Sequence, residues 1–178
     1  MKKIFVITLF VSLLSAMSGF AQNKSRAVYG ELFGASGVGV NYDARFIPGK
    51  GDGFGYRTGL GVGFAFSSAG LSFEFTDDKV LAYNREVSFR LPLEVNYLLG
   101  KGSSKFEAGV GAALSLSRLT SDDGAAPKTT FGVAPYLGLG YRLVTSSGFL
   151  LRLGVLPSVD FENKTASLYP YIGLGYAF

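Results

Sequence analysis

The feature that most constrains this chain is a period of two. From residue 27 to residue 178, bulky apolar side chains alternate with small or polar ones, the pattern of strands whose two faces meet different surroundings. What the alternation separates matters more than its presence. Over 54–66, Phe54, Tyr56, Leu60, Val62, Phe64 and Phe66 share one side with Thr58, while Gly55, Arg57, Gly59, Gly61, Gly63 and Ala65 take the other. Over 87–99, Val87, Phe89, Leu91, Leu93, Val95, Tyr97 and Leu99 oppose Ser88, Arg90, Pro92, Glu94, Asn96 and Leu98. The interior of an eight-stranded closed sheet is only wide enough for modest filling, so the bulky face cannot be the inner one. Turned outward it suits lipid, and the small residues leave internal space for a few long polar side chains.

A soluble lipocalin-like barrel or a sandwich is the competing reading. Against it, the lysines of the mature region (Lys24, Lys50, Lys79, Lys101, Lys105, Lys128 and Lys164) all fall in turns, loops or strand ends. A bilayer enforces such exclusion, because a lysine on the lipid face at mid-membrane costs about 2–4 kcal/mol. The sequence therefore predicts an all-β fold, a closed eight-stranded antiparallel up-and-down transmembrane β-barrel preceded by a cleaved signal peptide. Strands are expected at 27–34, 37–47, 54–68, 86–100, 105–118, 130–145, 149–161 and 169–178. Turns after the second, fourth and sixth strands are short, and loops after the third, fifth and seventh are longer and more polar; only the short first loop, "GASG", departs. That asymmetry puts both chain ends on the periplasmic rim. Pro92, Pro135, Pro157 and Pro170 lie within proposed strands, where a missing donor predicts bulges or frayed rims; Pro92, in mid-strand, has no account at this level.

Residues 1–21 read as the signal peptide: Lys2 and Lys3, an apolar run from Ile4 to about Ala16, then small residues at Gly19 and Ala21. The run falls short of the ~20 residues a membrane helix needs. Residues 22–26 form a short N-terminal segment and 27–178 one barrel domain, as the length of 178 residues allows. Composition excludes several chemistries. The chain has no cysteine and no histidine, so thiol nucleophiles, zinc-thiolate sites and the commonest general base are absent. Its basic and acidic residues nearly balance once Lys2 and Lys3 are removed, which gives no footprint for nucleic acid. Asp77–Asp78 and Asp122–Asp123 read as turn residues with too few oxygen ligands for calcium, and no cofactor or metal is expected.

The four even-numbered strands each carry an aliphatic residue, then Asn or Gly, then Tyr near their ends: Tyr42, Tyr97, Tyr141 and Tyr176. "PYLGLGYRL" at 135–143 is nearly restated as "PYIGLGYAF" at 170–178. Parity turns these tyrosines toward lipid, and Phe54, Phe106 and Phe149 begin the following strands on the same face. The set predicts a periplasmic aromatic girdle, rings apolar in body and polar at the tip sitting at the headgroups.

The exported start, the "AVYGELFGASGVGVNYDARF" opening, the "LPLEVNYLLG" strand and the glycine-aromatic close with Phe178 resemble the small outer-membrane β-barrel proteins of Bacteroidetes, of the broad OmpA-like type. The resemblance covers nearly all of the mature chain. It implies localisation in the cell outer membrane, among outer-membrane lipid. It also implies recognition of the last strand, with its terminal aromatic Phe178, by the barrel-assembly machinery. Unlike the larger OmpA-like proteins, this chain is expected to be a barrel without a peptidoglycan-binding domain after it.

Inside, parity gathers Arg45, Arg57, Arg90, Arg142 and Arg152 against Asp43, Glu94, Glu107 and Asp160, with Glu31 undecided because the first strand's register is ambiguous. Opposite charges in a narrow lumen should pair, since an unpaired buried ion costs several kcal/mol. A structural network of Arg57, Arg90, Glu94, Glu107, Arg142 and Arg152 is expected, and on that basis Arg90→Ala should lower the unfolding midpoint. Residues 69–86 keep alternating through Leu71, Phe73 and Phe75, which makes them the candidate surface for another protein, a glycan or lipopolysaccharide. Three function classes stay open. They are a structural or surface-interaction barrel with a plugged lumen, a narrow pore for small solutes, and an envelope-lipid enzyme, the last disfavoured by the missing histidine. No feature fixes the oligomeric state.

Overall fold

A computed structural model describes residues 24–66, 84–121, 126–160 and 165–178. Eight strands run in chain order: β1 (Arg26–Gly34), β2 (Gly37–Arg45), β3 (Gly53–Phe66), β4 (Asn84–Leu99), β5 (Ser104–Ser121), β6 (Lys128–Val144), β7 (Phe149–Asp160) and β8 (Thr165–Ala177). Each pairs antiparallel with its sequence neighbours, and β8 returns to β1, so the sheet closes on itself. Beyond the β1–β8 ladder, Arg26 and Phe178 exchange two backbone hydrogen bonds of 3.0 and 2.8 Å. Closure suits a sheet with an apolar exterior, because every strand then has a partner strand on both sides. The signal peptide at 1–21, the Asp77–Asp78 and Asp122–Asp123 turns, and most of the 69–86 segment lie outside the described residues.

The faces divide as the periodicity requires. Outward residues include Leu60, Phe89 and Phe131, each about two-thirds exposed (69%, 66% and 66%), while Arg57, Glu94, Glu107 and Arg152 face inward and are buried. The rim is uneven. β1 and β2 have nine residues each against 18 for β5 and 17 for β6. The two short strands are joined by a tight turn, Ala35–Ser36, which Gly37 completes at φ 71°. That turn tucks inward, with Ser36 fully buried. Just before it the β1–β2 register shifts, and Phe33 takes φ 66°, a left-handed conformation rare for a bulky residue.

At the in-strand prolines the ladders are interrupted or end, so of bulges and frayed rims it is fraying, with no shift of register, that the missing donors produce. β4 keeps one register with β5 straight through Pro92↔Ala113, but on its other side the β3–β4 pairing skips Gly59–Pro92 and Leu60–Leu91. Pro92 thus turns its donorless nitrogen toward β3 and interrupts only that seam. The β1–β8 ladder likewise ends at Leu32↔Ile172, one hydrogen-bonded pair short of Pro170.

Candidate functional site

The lumen is built from one repeated exchange: a glycine on one strand gives up its volume to a long side chain from the next. A Cβ at Gly55 would collide with Arg45, at Gly59 with Asn41, and at Gly109 with Glu94. At Gly111 it would meet Tyr136, and at Gly140 or Gly154 it would meet Tyr171. The sequence placed these glycines on the inner face; the structure fills the room they leave.

What fills it is an alternating chain of charge. Arg57 Nη1 donates to Glu94 (3.1 Å) and its Nη2 to Glu31 (2.5 Å). Arg152 joins Glu31 (3.1 Å) to Glu107 (2.5 and 3.0 Å). Arg142 continues from Glu107 (2.9 Å twice) to Asp43 (2.9 Å twice), and Asp43 accepts from Arg45 (2.5 Å). Asn96 closes the circuit, accepting from Arg45 (2.6 Å) and donating to Asp43 (2.8 Å) and Glu94 (3.2 Å). Four arginines and four carboxylates, drawn from every strand except β8, therefore form a ring of zero net charge. All eight side chains are at most 3% exposed.

Neutral partners complete the ring. Asn41 Oδ1 accepts from Arg57 Nε (3.2 Å), Asn41 Nδ2 donates to Ser36 Oγ (3.2 Å), and Ser36 Oγ donates to Glu31 (2.9 Å). Arg152 donates to Tyr29 Oη (2.5 Å) and stacks its guanidinium 4.7 Å from the Tyr29 ring centroid and 5.1 Å from that of Tyr171. Apolar layers lie above and below. Ala27, Leu150 and Ala177 pack with Tyr29 toward the chain-end rim. Ala35, Ala113, Tyr136, Leu156 and Tyr171 pack on the opposite side. Between such layers charges interact strongly, and an unpaired one is costly.

Of the residues named from sequence, the structure brings Asp43, Arg45, Arg57, Glu94, Glu107, Arg142 and Arg152 into this ring. Arg90 does not join it. It sits farther along the inner face, beside Gly63, and its Nε donates to Ser88 Oγ (3.1 Å); it makes no ion pair among the described residues. Asp160 ends β7, and its side chain lies outside the described ones. Sequence reasoning left Glu31 undecided and missed Tyr29, Ser36, Asn41, Asn96, Tyr136 and Tyr171. The repeated "PY" and "GY" of β6 and β8 held a signal: Tyr136 and Tyr141, or Tyr171 and Tyr176, stand five apart, and an odd separation puts them on opposite faces.

Tyr42, Tyr97, Tyr141 and Tyr176 all lie on the outer face. Phe54 stands opposite Tyr97 with ring centroids 4.7 Å apart, edge to face. Phe106 pairs with Tyr141 and Phe149 with Tyr176 across their strands. Tyr42 instead neighbours Tyr56 (6.2 Å), and Tyr141 Oη lies 2.7 Å from Ser104 Oγ. At the chain-end rim Lys24 Nζ bonds the carbonyls of Thr145 and Ser146, and the buried Lys105 donates to the Gly102 carbonyl (2.7 Å).

No family model matches the chain, and no curated protein matches it. Solved structures do. The N-terminal β-barrel domain of OprF from Pseudomonas aeruginosa superposes with a TM-score of 0.55 at 13% identity, covering 86% of this chain and 95% of that one. Ail, the attachment invasion locus protein of Yersinia pestis, gives 0.49 at 12% identity over 86% and 93%. The likeness to the OprF domain is one of fold.

Proposed function

We propose that this chain is an integral outer-membrane β-barrel with a structural or surface-interaction role, its lumen closed by the salt-bridge ring. The observation that carries the reading is the inversion of faces. Leu60, Phe89, Val110, Phe131 and Val133 are more than half exposed, whereas four arginines and four carboxylates are buried within. In water this arrangement would be penalised twice, by exposed apolar area and by desolvated charge. In a bilayer the exterior costs nothing, and the antiparallel ladders around the closed sheet pair most of the backbone, as a membrane span demands. Export through residues 1–21, handling of the Phe178-terminated strand by the barrel-assembly machinery, and kinship with the small Bacteroidetes barrels belong to the same proposal. So does contact of the 69–86 segment with a surface protein or glycan. The role is non-catalytic: each carboxylate of the ring is held by one or two guanidinium partners, which leaves none poised as a free acid or base.

Two measurements test it together. The mature protein should fractionate with the outer membrane and migrate faster on a detergent gel unheated than boiled, as a closed barrel does; a freely water-soluble monomer refutes the reading. Reconstituted in a planar bilayer it should give no persistent single-channel openings, and sustained conductance would replace the plug with a pore.

A further inference from the structure

The ladder between β6 and β7 stops halfway. It runs from Val144↔Leu150 to Leu139↔Val155 and ends there, although β6 goes on pairing with β5 to Lys128 and β7 with β8 to Asp160. The cause lies in the sequence. Thr145 N–H donates to the Phe149 carbonyl (2.9 Å), which makes Leu143 with Leu151, Tyr141 with Leu153 and Leu139 with Val155 the hydrogen-bonded pairs of this seam. The next two in register would be Leu137 with Pro157 and Pro135 with Val159. Each contains a proline with no hydrogen to donate. Both prolines turn that side toward the same seam, so the interruption is shared by the two strands.

The interruption falls within the apolar belt. Tyr141 marks the girdle, and at ~3.3 Å per residue and a tilt near 40° an apolar band about 25 Å tall reaches roughly ten residues farther along β6. The outward residues there, Leu137, Val133 and Phe131, are all more than half exposed. Unpaired backbone at that depth is tolerated only where it is buried in protein or lines a water-filled cavity, so the seam must open inward to the lumen. Behind the seam the inner side carries small residues, Gly132 and Ala134 on β6 and Ser115 on β5. It also supplies a floor, since Tyr136 and Leu156, just inside the unpaired stretch, pack with Ala113 over the charge ring; it is apolar except for the buried Tyr136 hydroxyl, which makes no hydrogen bond among the described residues. Apolar side chains thus stand on both faces of the unpaired stretch, Leu137, Val133 and Phe131 outside and Leu156 inside.

Resting on the membrane reading above, we propose that the β6–β7 seam is a lateral portal admitting an acyl chain of a surrounding membrane lipid into the outer half of the lumen. The free carbonyls of Pro135 and Pro157 line its edges, and the charge ring limits the depth of entry.

The test uses the mature protein in vesicles containing phosphatidylethanolamine with a diazirine near the end of one acyl chain, irradiated and mapped by mass spectrometry. Outward Leu93 and Leu137 should be labelled, and inward Ala134, Tyr136 and Leu156 should be labelled as well. The chain has no cysteine, so Leu137→Cys with Pro157→Cys can lock the gap. Opposed residues of a closed hydrogen-bonded pair stand ~5.5 Å apart, within disulfide range. Oxidation should lower inward labelling several-fold, leave outward labelling unchanged, and be reversed by reductant. Pro135→Val with Pro157→Val, which restores both donors, should do the same without a crosslink. Outward labelling alone overturns the portal and leaves the membrane reading standing. No labelling at either face overturns both. A disulfide between two copies of Leu137→Cys, with the inner face unlabelled, overturns the portal in favour of a seam covered by a second barrel.

Discussion

Glu107→Gln removes one charge from the centre of the ring while keeping its shape. In the structure Glu107 accepts four hydrogen bonds, two from Arg142 (2.9 Å each) and two from Arg152 (2.5 and 3.0 Å). A carboxamide can accept at one atom only, and its NH2 group would face guanidinium donors, so about half of these bonds are lost and the other half weakened. Both arginines keep a second partner, Asp43 for Arg142 and Glu31 for Arg152, yet the ring acquires a net positive charge with no water to screen it. Breaking a buried pair by removing one partner costs about 3–5 kcal/mol. The surviving partners argue for the lower end, about 3 kcal/mol, or roughly a hundredfold in the folding equilibrium. The chain has no tryptophan, so unfolding by urea in lipid vesicles is best followed by the heat-sensitive gel shift and far-ultraviolet circular dichroism. A double variant, Glu107→Gln with Arg152→Met, restores neutrality and should recover part of the loss, giving a coupling energy of about 1–3 kcal/mol. The reasoning fails if Glu107→Gln costs less than about 1 kcal/mol, the worth of an ordinary exposed ion pair, or if the double variant is simply additive.

Arg90→Ala should now behave differently from the expectation drawn from sequence. With one hydrogen bond to Ser88 and no ion pair among the described residues, its loss should cost no more than about 1 kcal/mol, read as a small change in urea midpoint beside Glu107→Gln. Leu93→Lys puts a charge on the outer face between the girdle and mid-barrel, where Leu93 is 46% exposed. It should cost about 2–4 kcal/mol in vesicles, and an unchanged midpoint there would contradict the outward apolar face.

The strands were legible because period two survives everywhere except in β1. There Val28 and Leu32 share one face and Tyr29, Glu31 and Phe33 the other, bulky apolar residues stand on both, and no sequence rule decides which is inner. The tertiary contacts do: Tyr29 lies against the Arg152 guanidinium, Glu31 between Arg57 and Arg152, and the shifted register at Phe33 lets the turn fold inward. Strand ends differ more at the longer-loop rim, where β5 runs on to Ser121 and β8 starts at Thr165, than at the short turns, whose glycines fix the ends locally. Parity named the charged residues, but which arginine meets which carboxylate depends on stagger between strands. Arg142 reaches Asp43 from four strands away around the barrel, and no local pattern encodes that distance.

The same logic bears on conduction. A pore for small solutes would need the inner-face glycines to leave empty volume. Each of Gly55, Gly59, Gly109, Gly111, Gly140 and Gly154 instead lies against an arginine, asparagine, carboxylate or tyrosine from another strand. A glycine in such a place gives the opposing side chain its room, and enlarging it would push on the ring. For an ion to pass, at least one guanidinium would have to leave its carboxylates and swing into an apolar layer, Leu150 and Ala27 on one side or Tyr136 and Leu156 on the other. Each unpaired charge so created costs several kcal/mol, and because Arg57, Arg142 and Arg152 each bridge two carboxylates, moving one of them takes a partner from two carboxylates at once. An interior with glycines and charges therefore favours closure when the charges balance and apolar layers lie at both ends of the ring, which is the arrangement found here.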